Sequence, residues 1–502
     1  MFLIKGYSRS LLQKISHCGD DYYWGRIPPP SPEGPRCPGP SSLVSSMKSL
    51  SASKGPTVTP GILSYSNFPL AALFGAFALL TFTDIAFASG PHEKVIYSFQ
   101  DSNGTHPDGE NATTGLVADQ AGNLYGTTRG GGTIAGCSCG TVFELSPPAT
   151  QGGGWAEKVL YSFSGGSNDG ANPSGTLIFD HAGNLYGTTL GGGSNNTGTV
   201  FKLSPPATQG GSWTETVLFI FPADSSQGSW PQGKLAFDGA GNLYGTTLFG
   251  GSGAAPGCDV GGCGTVFQLS PPATQGGAWT ESVLYNFGVV SRDGILPSGV
   301  IFRNGVLYGE TQGGGTGSNG TVFLLARRNG NWSEGVLYNF TGSEGSGPVG
   351  GLISDSAGNL YGTVHAGGNS YCISGCGAVF ELSPPAVSGN PWQQTTLYSF
   401  TGGTDGAQPQ AAVLRDTSGN LYGTASVGGL KNQYTNNNGT VFRLTPSPGG
   451  AWTETVLHAF GGTVIGDGTL PVSELILVKG AYFGATYLGG SLNSGTVFSV
   501  VP

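Results

Sequence analysis

Short apolar runs recur along the chain from about residue 93 onward, and Gly, Pro, Asn and Ser separate them. The runs are about five to seven residues long and rich in Val, Leu, Tyr, Phe and Thr, which is typical of β-strands bounded by turns. Apolar residues occupy both odd and even positions within a run, as in Val159, Leu160 and Tyr161, so both faces of the sheets should be covered. Long amphipathic helical patterns are absent beyond residue 90. The sequence therefore predicts an all-β fold.

Four kinds of run follow one another in a fixed order, and the order repeats seven times. The motif GNLYGTT, or a close variant of it, begins at Gly122, Gly183, Gly241, Gly305, Gly358, Gly419 and Gly480. An apolar piece such as Gly175–Asp180 precedes the motif, GTVF or GAVF follows it, and a run resembling VLYSF comes last. Four short strands in a unit of 53 to 64 residues indicate the blade of a β-propeller.

The order of the runs also predicts how the ring closes. The repeat region begins with a VLYSF-type run, Val95–Phe99, and its last GTVF run, Gly495–Phe498, has no fourth strand after it. The first strand can supply that strand and remove an exposed sheet edge. We therefore predict a seven-bladed β-propeller with four antiparallel strands per blade and the N-terminal strand closing the last blade; an open solenoid or a ring of another size is the alternative. The predicted blades are about 100–163, 164–221, 222–287, 288–340, 341–400, 401–460, and 461–502 plus 93–99.

Residues that recur in nearly every unit are interpreted as structural. An Asp stands before most GNLYGTT copies, where its carboxylate can accept backbone N–H groups of a tight turn while the Gly takes a positive φ. The Gly of LYG is expected to let a neighbouring blade approach closely. Six tryptophans that open the last strand of a unit, such as Trp155, are expected to cover blade edges; stacking on sugars is the alternative.

These motifs resemble those of a bacterial tandem-repeat family called GloVer, whose units are marked by NLYGTT, a Gly-Gly pair and GTVF. The likeness covers about residues 93–502. A weaker likeness to NHL-type propeller repeats supports the same fold. Members of GloVer are commonly exported and often carry a C-terminal sorting anchor, whereas this chain ends at Val500, Val501 and Pro502 without one, which favours release. The resemblance implies no established reaction.

The N-terminal part of the chain has a different composition. Residues 1–46 are irregular and rich in proline, and Met47 is the only methionine besides Met1, so translation starting at Met47 is one interpretation. Residues 47–88 combine two lysines, an apolar stretch and a small-x-small site at Ala86–Ala88, as a signal peptide does. A retained anchor is the alternative. The mature protein, residues 89–502, is expected to be secreted, or periplasmic or extracellular, without a membrane span.

Three close pairs of cysteines agree with export. Each pair lies between a GNLYGTT copy and the following GTVF or GAVF run. Because a zinc site needs about four ligands and these pairs come from different repeats, local disulfides are favoured over metal. The expected disulfide cysteines are Cys137 with Cys139, Cys258 with Cys263, and Cys372 with Cys376.

Composition narrows the functional classes. The net charge is −9 and no basic run occurs, which argues against nucleic acid as a partner. No Ser-His-Asp order, HExxH motif or phosphate loop occurs. We expect an exported, monomeric, non-catalytic binding or scaffold protein, with a glycan, peptide or cell-surface partner and no cofactor. The alternative is a metal-dependent propeller hydrolase or lactonase with its site at the central channel.

Two sets of residues are candidate sites. Asp-Gly pairs recur before the innermost strands and could form a cation ring suited to calcium, although a simple turn is favoured as their explanation. These are Asp108, Asp169, Asp293, Asp405 and Asp467. The position three residues after the LYG glycine varies between units, and Glu310 replaces the usual first Thr of the motif, so these side chains form a candidate ligand rim. The rim candidates are Arg129, Glu310, Gln312, His365 and Tyr487.

Overall fold

A computed structural model describes residues 92–502, except for the segments 101–105, 256–257, 259–260, 370–371, 430–437 and 462–465 and the positions 135, 151, 209, 275, 373 and 388. The predicted segments 1–46 and 47–88 lie outside the described residues. Within the described part of the chain, no helix is long and apolar enough to cross a membrane.

Among the described residues, thirty-one strands form seven antiparallel sheets, and each sheet is one blade of a ring. The seven-bladed β-propeller predicted from the repeats is confirmed. Blade 1 contains β2 (Val117–Ala118), β3 (Leu124–Thr128), β4 (Thr141–Ser146) and β5 (Ala156–Ser162). Blade 2 contains β6 (Gly170–Pro173), β7 (Ile178–Phe179), β8 (Leu185–Gly192), β9 (Thr199–Ser204) and β10 (Thr214–Ile220). Blade 3 contains β11 (Ser229–Phe237), β12 (Leu243–Phe249), β13 (Thr265–Ser270) and β14 (Thr280–Asn286).

Blades 4 to 7 repeat the same order, in which the chain runs from the inner strand outward. Blade 4 contains β15 (Gly294–Arg303), β16 (Val306–Gly314), β17 (Thr321–Arg328) and β18 (Asn331–Asn339), and blade 5 contains β19 (Ser346–Pro348), β20 (Ile353–Ser354), β21 (Leu360–Ala366), β22 (Ala378–Ser383) and β23 (Gln393–Ser399). Blade 6 contains β24 (Leu414–Arg415), β25 (Leu421–Ala425), β26 (Thr440–Pro446) and β27 (Trp452–Ala459). Blade 7 contains β28 (Gly468–Pro471), β29 (Ile476–Val478), β30 (Ala481–Gly489) and β31 (Thr496–Val501), together with β1 (His92–Ser98).

The N-terminal strand closes the ring, as the order of the runs predicts. Strand β1 pairs antiparallel with β31, and Val95 lies opposite Phe498. The outermost strand of every blade carries one register shift, which in blade 1 places Val159 opposite Phe143 and Tyr161 opposite Val142. Leu160 is the extra residue. This bulge explains why apolar residues occupy adjacent positions in the VLYSF runs.

The recurring turn before each second strand is held by its aspartate. In blade 2 the Asp180 carboxylate accepts the backbone N–H of Asn184 at 2.9 Å, the Asn184 side-chain amide at 2.6 Å and the Tyr186 hydroxyl at 3.0 Å. Burial alone would raise the pKa of Asp180, but these hydrogen bonds together lower it below its ordinary value. The Tyr of LYG is therefore part of the turn as well as of the core.

The blades pack through aromatic rings. The buried Phe of each VLYSF-type run meets the Phe of the next GTVF or GAVF run edge to face, with ring centroids 5.0–5.4 Å apart. The expected role of the LYG glycine is wrong in one respect. A Cβ at Gly126 would lie 2.6 Å from Phe143 of the same blade, so the glycine makes room for that ring.

Neighbouring blades are joined at one recurring point, which we call the blade joint. In blade 1 the carbonyl of Gly140 accepts the N–H of Phe163 in its own blade, while the carbonyl of Cys139 accepts the N–H of Asn172 in blade 2 at 2.7 Å. Pro173 then packs on Gly140. We call the residue that donates its N–H to the preceding blade, Asn172 here, the joint residue. The glycine that follows the accepting carbonyl, Gly140 here, is the joint glycine. The seven joint residues are Asn111, Asn172, Trp230, Leu296, Gly347, Gln408 and Leu470.

A methyl group at the joint glycine should weaken the ring. At Gly140 the φ is +92° and a Cβ would lie 2.3 Å from the Thr128 carbonyl oxygen and 2.6 Å from Pro173. At Gly152 the φ is +85° and nothing lies within 4 Å. Both alanine variants carry the left-handed penalty of about 1–2 kcal/mol. Only Gly140→Ala adds overpacking of about 1–3 kcal/mol.

Thermal and urea unfolding of the two variants measure the difference. We expect Gly140→Ala to lower the melting temperature clearly more than Gly152→Ala. Equal losses would show that the joint glycine is needed for its φ alone and that the packing of Pro173 is loose.

Candidate functional site

The inner strands surround a central channel of about 710 Å³. Small residues form most of its wall, and charged groups are few. One ion pair crosses it, between the Lys234 ammonium and the Glu474 carboxylate at 3.5 Å. In every blade the lining begins two residues after the joint residue, so the joint residues surround one end of the channel. The first lining residues are Thr113, Ser174, Gln232, Ser298, Val349, Gln410 and Val472.

The joint residues have left-handed backbone conformations. Their φ values lie between +54° and +62° in all seven blades. Gly347 adopts such a φ at little cost, and Asn tolerates it, but Trp230, Leu296 and Leu470 are bulky side chains for which this conformation is unusual. The sequence does not reveal this ring, because the side chains share no chemistry. The only regular signal is the Pro that follows six of them.

Each joint residue lies beside the variable position of the second strand. In blade 4 the pairs Ile295–Gly313 and Pro297–Thr311 place Leu296 opposite Gln312. We call the two sets together the rim. Besides the joint residues, it contains Arg129, Leu190, Leu248, Gln312, His365, Ser426 and Tyr487.

The structure brings four of the five rim candidates to the rim. The Arg129 side chain is exposed, those of Gln312 and Tyr487 are half-buried, and His365 is buried with Nδ1 2.7 Å from the Gly347 carbonyl oxygen. Asn111 donates its side-chain amide to the carbonyl of Tyr487 at 3.1 Å. This contact links the rim across two blades.

The rim is chemically uneven although the scaffold repeats. Blades 2 to 4 contribute the apolar rim residues Leu190, Trp230, Leu248 and Leu296, which we call the apolar arc, and Trp230 meets Phe249 edge to face at 5.4 Å. Asn172 and Gln312 of these three blades are polar, and the remaining blades contribute mostly amide, hydroxyl, imidazole and guanidinium groups, with Leu470 as their one apolar rim side chain. The polar side chains of the rim are Gln312, His365, Gln408, Ser426, Tyr487, Asn111, Arg129 and Asn172.

Glu310 lies away from the rim. It is fully buried behind the channel wall, where one carboxylate oxygen accepts the N–H of Gly351 at 2.6 Å and lies 3.4 Å from the Ser298 hydroxyl. The other oxygen has no hydrogen-bond partner among the described residues. Burial raises the pKa of Glu310 to about 7. The equivalent residue is Thr in five blades and Ala485 in blade 7.

The five aspartates of the candidate cation ring all lie in the turns between blades. Asp108 accepts the Tyr97 hydroxyl at 2.6 Å and the Gln100 N–H at 2.8 Å, and the other four accept N–H groups of their own turns in the same way. All five are buried. We call them, with Glu344 of blade 5, the joint acids. Calcium binding by these aspartates stays a prediction.

A second carboxylate faces most joint acids, and sequence analysis missed it. Burial, and then the charge of Asp108, raise the pKa of Glu157 to about 7. Burial also raises the pKa of five equivalent glutamates to about 7; the charge of a joint acid adds to this in four of them, whereas Glu281 accepts the Gln227 side-chain amide at 2.7 Å instead. All six have one oxygen without a partner among the described residues, and we call them the strand glutamates. They are Glu93, Glu157, Glu215, Glu281, Glu334 and Glu454.

Blade 5 provides an internal control for this pairing, because Gln394 on its outermost strand replaces a strand glutamate. The joint acid nearest in the repeat is Glu344, which accepts the Tyr338 hydroxyl at 2.9 Å. Burial opposes ionisation there, but hydrogen bonds led by those from Thr341 lower the pKa of Glu344 to about 2. Hydrogen bonds thus keep Glu344 ionised, while burial holds a proton on the strand glutamates near neutral pH, even on Glu281, which faces no joint acid.

The three expected cysteine pairs form disulfides, between Cys137 and Cys139, Cys258 and Cys263, and Cys372 and Cys376. In each pair the second cysteine directly precedes the joint glycine, and its carbonyl accepts the hydrogen bond from the next blade. The disulfides therefore hold three of the seven blade joints.

Comparison with known families agrees with the repeat pattern. The model of the Gloeobacter/Verrucomicrobia repeat matches residues 84–298 and 253–498, which together span most of the chain. The chain belongs to the Gloeobacter/Verrucomicrobia repeat family. No curated protein matches this repeat protein.

Solved structures resemble the Gloeobacter/Verrucomicrobia repeat protein only distantly. Trypanosoma rangeli sialidase in complex with sialic acid is 10% identical with a TM-score of 0.39, over 71% of this chain and 56% of the sialidase. A putative oxidoreductase (glucose dehydrogenase) from Thermus thermophilus is 18% identical with a TM-score of 0.37, over 71% of this chain and 100% of that one. Inulosucrase from Halalkalicoccus jeotgali is 14% identical with a TM-score of 0.33, over 61% of this chain and 92% of the inulosucrase. No function follows from likenesses this low.

The paired carboxyl groups predict how the stability of this family member depends on pH. A strand glutamate with a pKa raised to about 7 contributes stability that is complete below about pH 4.5 and is lost as the pH rises through 7. Turn aspartates with a lowered pKa, such as Asp180, contribute stability that is lost as the pH falls below their ordinary value of 3.8. We therefore expect the melting temperature to be highest near pH 4–5 and several degrees lower at pH 8.

Two opposite substitutions test the assignment by calorimetry at pH 5 and pH 8. Glu157→Gln copies the residue that blade 5 already uses and should reduce the loss at pH 8. Gln394→Glu adds a seventh strand glutamate and should enlarge it. A pH dependence that neither variant changes would show that other groups cause it.

Proposed function

We propose that this protein is an exported, non-catalytic binding module whose rim holds a saccharide. The observation that supports this most is the presence of Trp230, Leu296 and Leu470 in left-handed conformations at the end of the channel. The blade joint itself needs only a backbone N–H from the joint residue. Gly347 fills the same place in blade 5 without a side chain.

The cost of these side chains is the reason to assign them a role. A left-handed conformation costs a residue with a Cβ about 1–2 kcal/mol, and such strain concentrates at binding sites. A glycine at the same position would avoid that cost, as Gly347 does, so the bulky residues carry backbone strain that the joint itself does not require. Side chains retained at a cost to stability point to a function for the rim.

The chemistry of the rim fits a sugar better than a peptide. A sugar ring has an apolar face of C–H groups, which the apolar arc around Trp230 and Phe249 can contact. Its hydroxyl groups need many donors and acceptors, which Asn111, Gln408 and Arg129 offer on the other side. Arg129 is the one guanidinium at the rim, which argues against a phosphate-rich partner.

Export is part of the proposal. The three disulfides are of the kind that persists in oxidising compartments, and they support secretion after removal of a signal peptide. A closed ring packs each blade against two others, so we propose that the protein acts as a monomer. Binding at the rim requires no cofactor, and calcium is the ion to test first at Asp108, Asp169, Asp293, Asp405 and Asp467.

Replacing a rim leucine by glycine should raise stability and reduce binding together. Leu296→Gly removes strain at a φ of +59° and should raise the free energy of unfolding by about 1 kcal/mol. Leu477→Gly is the control, because Leu477 is an exposed leucine in strand β29 outside the left-handed set, and this variant should lose stability. Thermal unfolding of both variants measures the difference.

A glycan array measures the other half of the prediction. The wild type should bind at least one glycan class, Trp230→Gly and Leu296→Gly should weaken that binding at least about tenfold, and Leu477→Gly should leave it unchanged. If the array is silent while a peptide library binds in a manner that depends on the rim, the saccharide assignment fails. Glycan binding that survives all rim variants would show that the rim is not the binding site.

Glu310 supports a second candidate, the metal-dependent hydrolase or lactonase with its site at the channel. A fully buried carboxyl with a pKa near 7 and one oxygen without a partner in the described chain has properties of a general acid or base. Glu310→Thr restores the residue that five blades use and should raise the melting temperature. If the wild type hydrolyses any of a panel of esters and lactones and Glu310→Thr does not, the enzymatic candidate replaces the binding module.

A further inference from the structure

The joint between blades 6 and 7 differs from the other joints in one residue. In five blades the VLYSF-type run carries a Tyr at its third position, blade 2 has Phe219, and blade 6 has His458. His458 Nε2 lies 2.9 Å from an oxygen of Asp467, the joint acid, and 3.8 Å from an oxygen of Glu93, the strand glutamate. All three ligand atoms lie within 4.8 Å of one another.

The three side chains come from three separate segments and are largely enclosed. His458 lies on β27, Asp467 in the turn between blades 6 and 7, and Glu93 on the closing strand β1. The side chains of His458, Glu93 and Asp467 are 20%, 11% and 6% exposed. The second oxygen of Glu93 is buried and has no hydrogen-bond partner among the described residues.

We propose that Glu93, His458 and Asp467 form a binding site for one divalent transition metal ion, with zinc as the best match. One imidazole nitrogen and two carboxylate oxygens are a ligand set that zinc accepts at bonds of about 2.0–2.2 Å, with water as the fourth ligand. Tetrahedral bonds of that length separate ligand atoms by about 3.3 Å. The distances of 2.9 and 3.8 Å lie on either side of this value, so small side-chain rotations suffice.

The chemistry of the other joints explains why this joint alone is assigned. At the joint after blade 5 the equivalent residues are Tyr398, Asp405 and Glu454, and Tyr398 donates its hydroxyl to Asp405 at 3.1 Å. A protonated phenol is a hydrogen-bond donor and a poor metal ligand, whereas neutral imidazole is a common one. The substitution of His for Tyr thus converts a hydrogen-bonded joint into a set of three metal ligands.

A bound metal would act on the closure of the ring. It would link β1 to blade 6 and to the turn that begins blade 7, where the two ends of the described chain meet in one sheet. A metal that binds only the folded ring stabilises it in proportion to its affinity and concentration. The site uses two outermost strands and the turn before blade 7 and contains no rim residue, so its test is independent of the proposed saccharide binding.

The alternative without a metal is a protonated His458. Its imidazolium would lie between the two carboxylates and would also satisfy this joint. The two differ in what they respond to, because the ion pair is sensitive to pH and salt but not to chelators.

The test uses the full chain, purified without a polyhistidine tag and stripped with a chelator. Isothermal titration with zinc should show one ion bound per chain at pH 7.5, and zinc should raise the melting temperature. His458→Tyr, which copies five other blades, should weaken zinc binding by at least about 10–100-fold and abolish the shift. Glu93→Gln, which copies Gln394, is a second variant in case the first does not fold, and it should act alike.

Tyr398→His should create a second zinc site, at the joint after blade 5. It places an imidazole beside Asp405 and Glu454 and should raise the stoichiometry from one zinc to two. The proposal is overturned if the wild type binds no zinc with a defined stoichiometry, or if binding survives both His458→Tyr and Glu93→Gln. A stoichiometry that stays at one in Tyr398→His refutes the joint geometry as its cause.

Discussion

The fold depends on two adjacent carbonyl groups in each blade, those of the joint glycine and of the residue before it. In blade 1 the carbonyl of Gly140 holds the outermost strand of its own blade, and the carbonyl of Cys139 holds the next blade. Both hydrogen bonds require the chain to turn sharply at a residue without a Cβ, where Pro173 also packs. Because one short segment bonds to two blades, the strand order within a blade and the closure of the ring are fixed together.

The same constraint produces the candidate site. The N–H of the joint residue reaches the preceding blade from a left-handed conformation, so the fold places seven such residues around one end of the channel. Backbone geometry is then alike in every blade while the side chains differ. The protein obtains a rim of unlike groups on a rigid frame, and the frame bears the strain that those groups add.

The architecture could be predicted because it depends on features that repeat. Glycines, aspartates and apolar runs recur at fixed spacing, and seven copies averaged out the variation of any one strand. The rim could be predicted only in part. The variable positions at Arg129 and Gln312 were visible beside the LYG motif, but the joint residues were not, because a φ near +60° has no signature when Asn, Trp, Leu, Gly and Gln all adopt it.

The places of Glu310 and of the strand glutamates could not be predicted for a different reason. Glu310 stands out because it replaces a Thr, but its direction depends on which face of the second strand meets the channel wall. The strand glutamates recur as regularly as any motif, yet a bulge separates them from the tyrosine that marks their blade, and a period of two cannot be carried across a bulge.

The paired acids also change the meaning of the net charge. The formal value of −9 counts every Asp and Glu as ionised and distributes them implicitly over a solvated surface. Here five of the six strand glutamates face joint acids between blades, and burial raises the pKa of Glu93, Glu215 and Glu334 to about 7. Part of the formal charge is therefore neutral in the folded protein near pH 7, and much of the remainder is enclosed. An acidic composition in this fold describes how blades are joined rather than what the surface attracts, so a partner must be inferred from the rim itself.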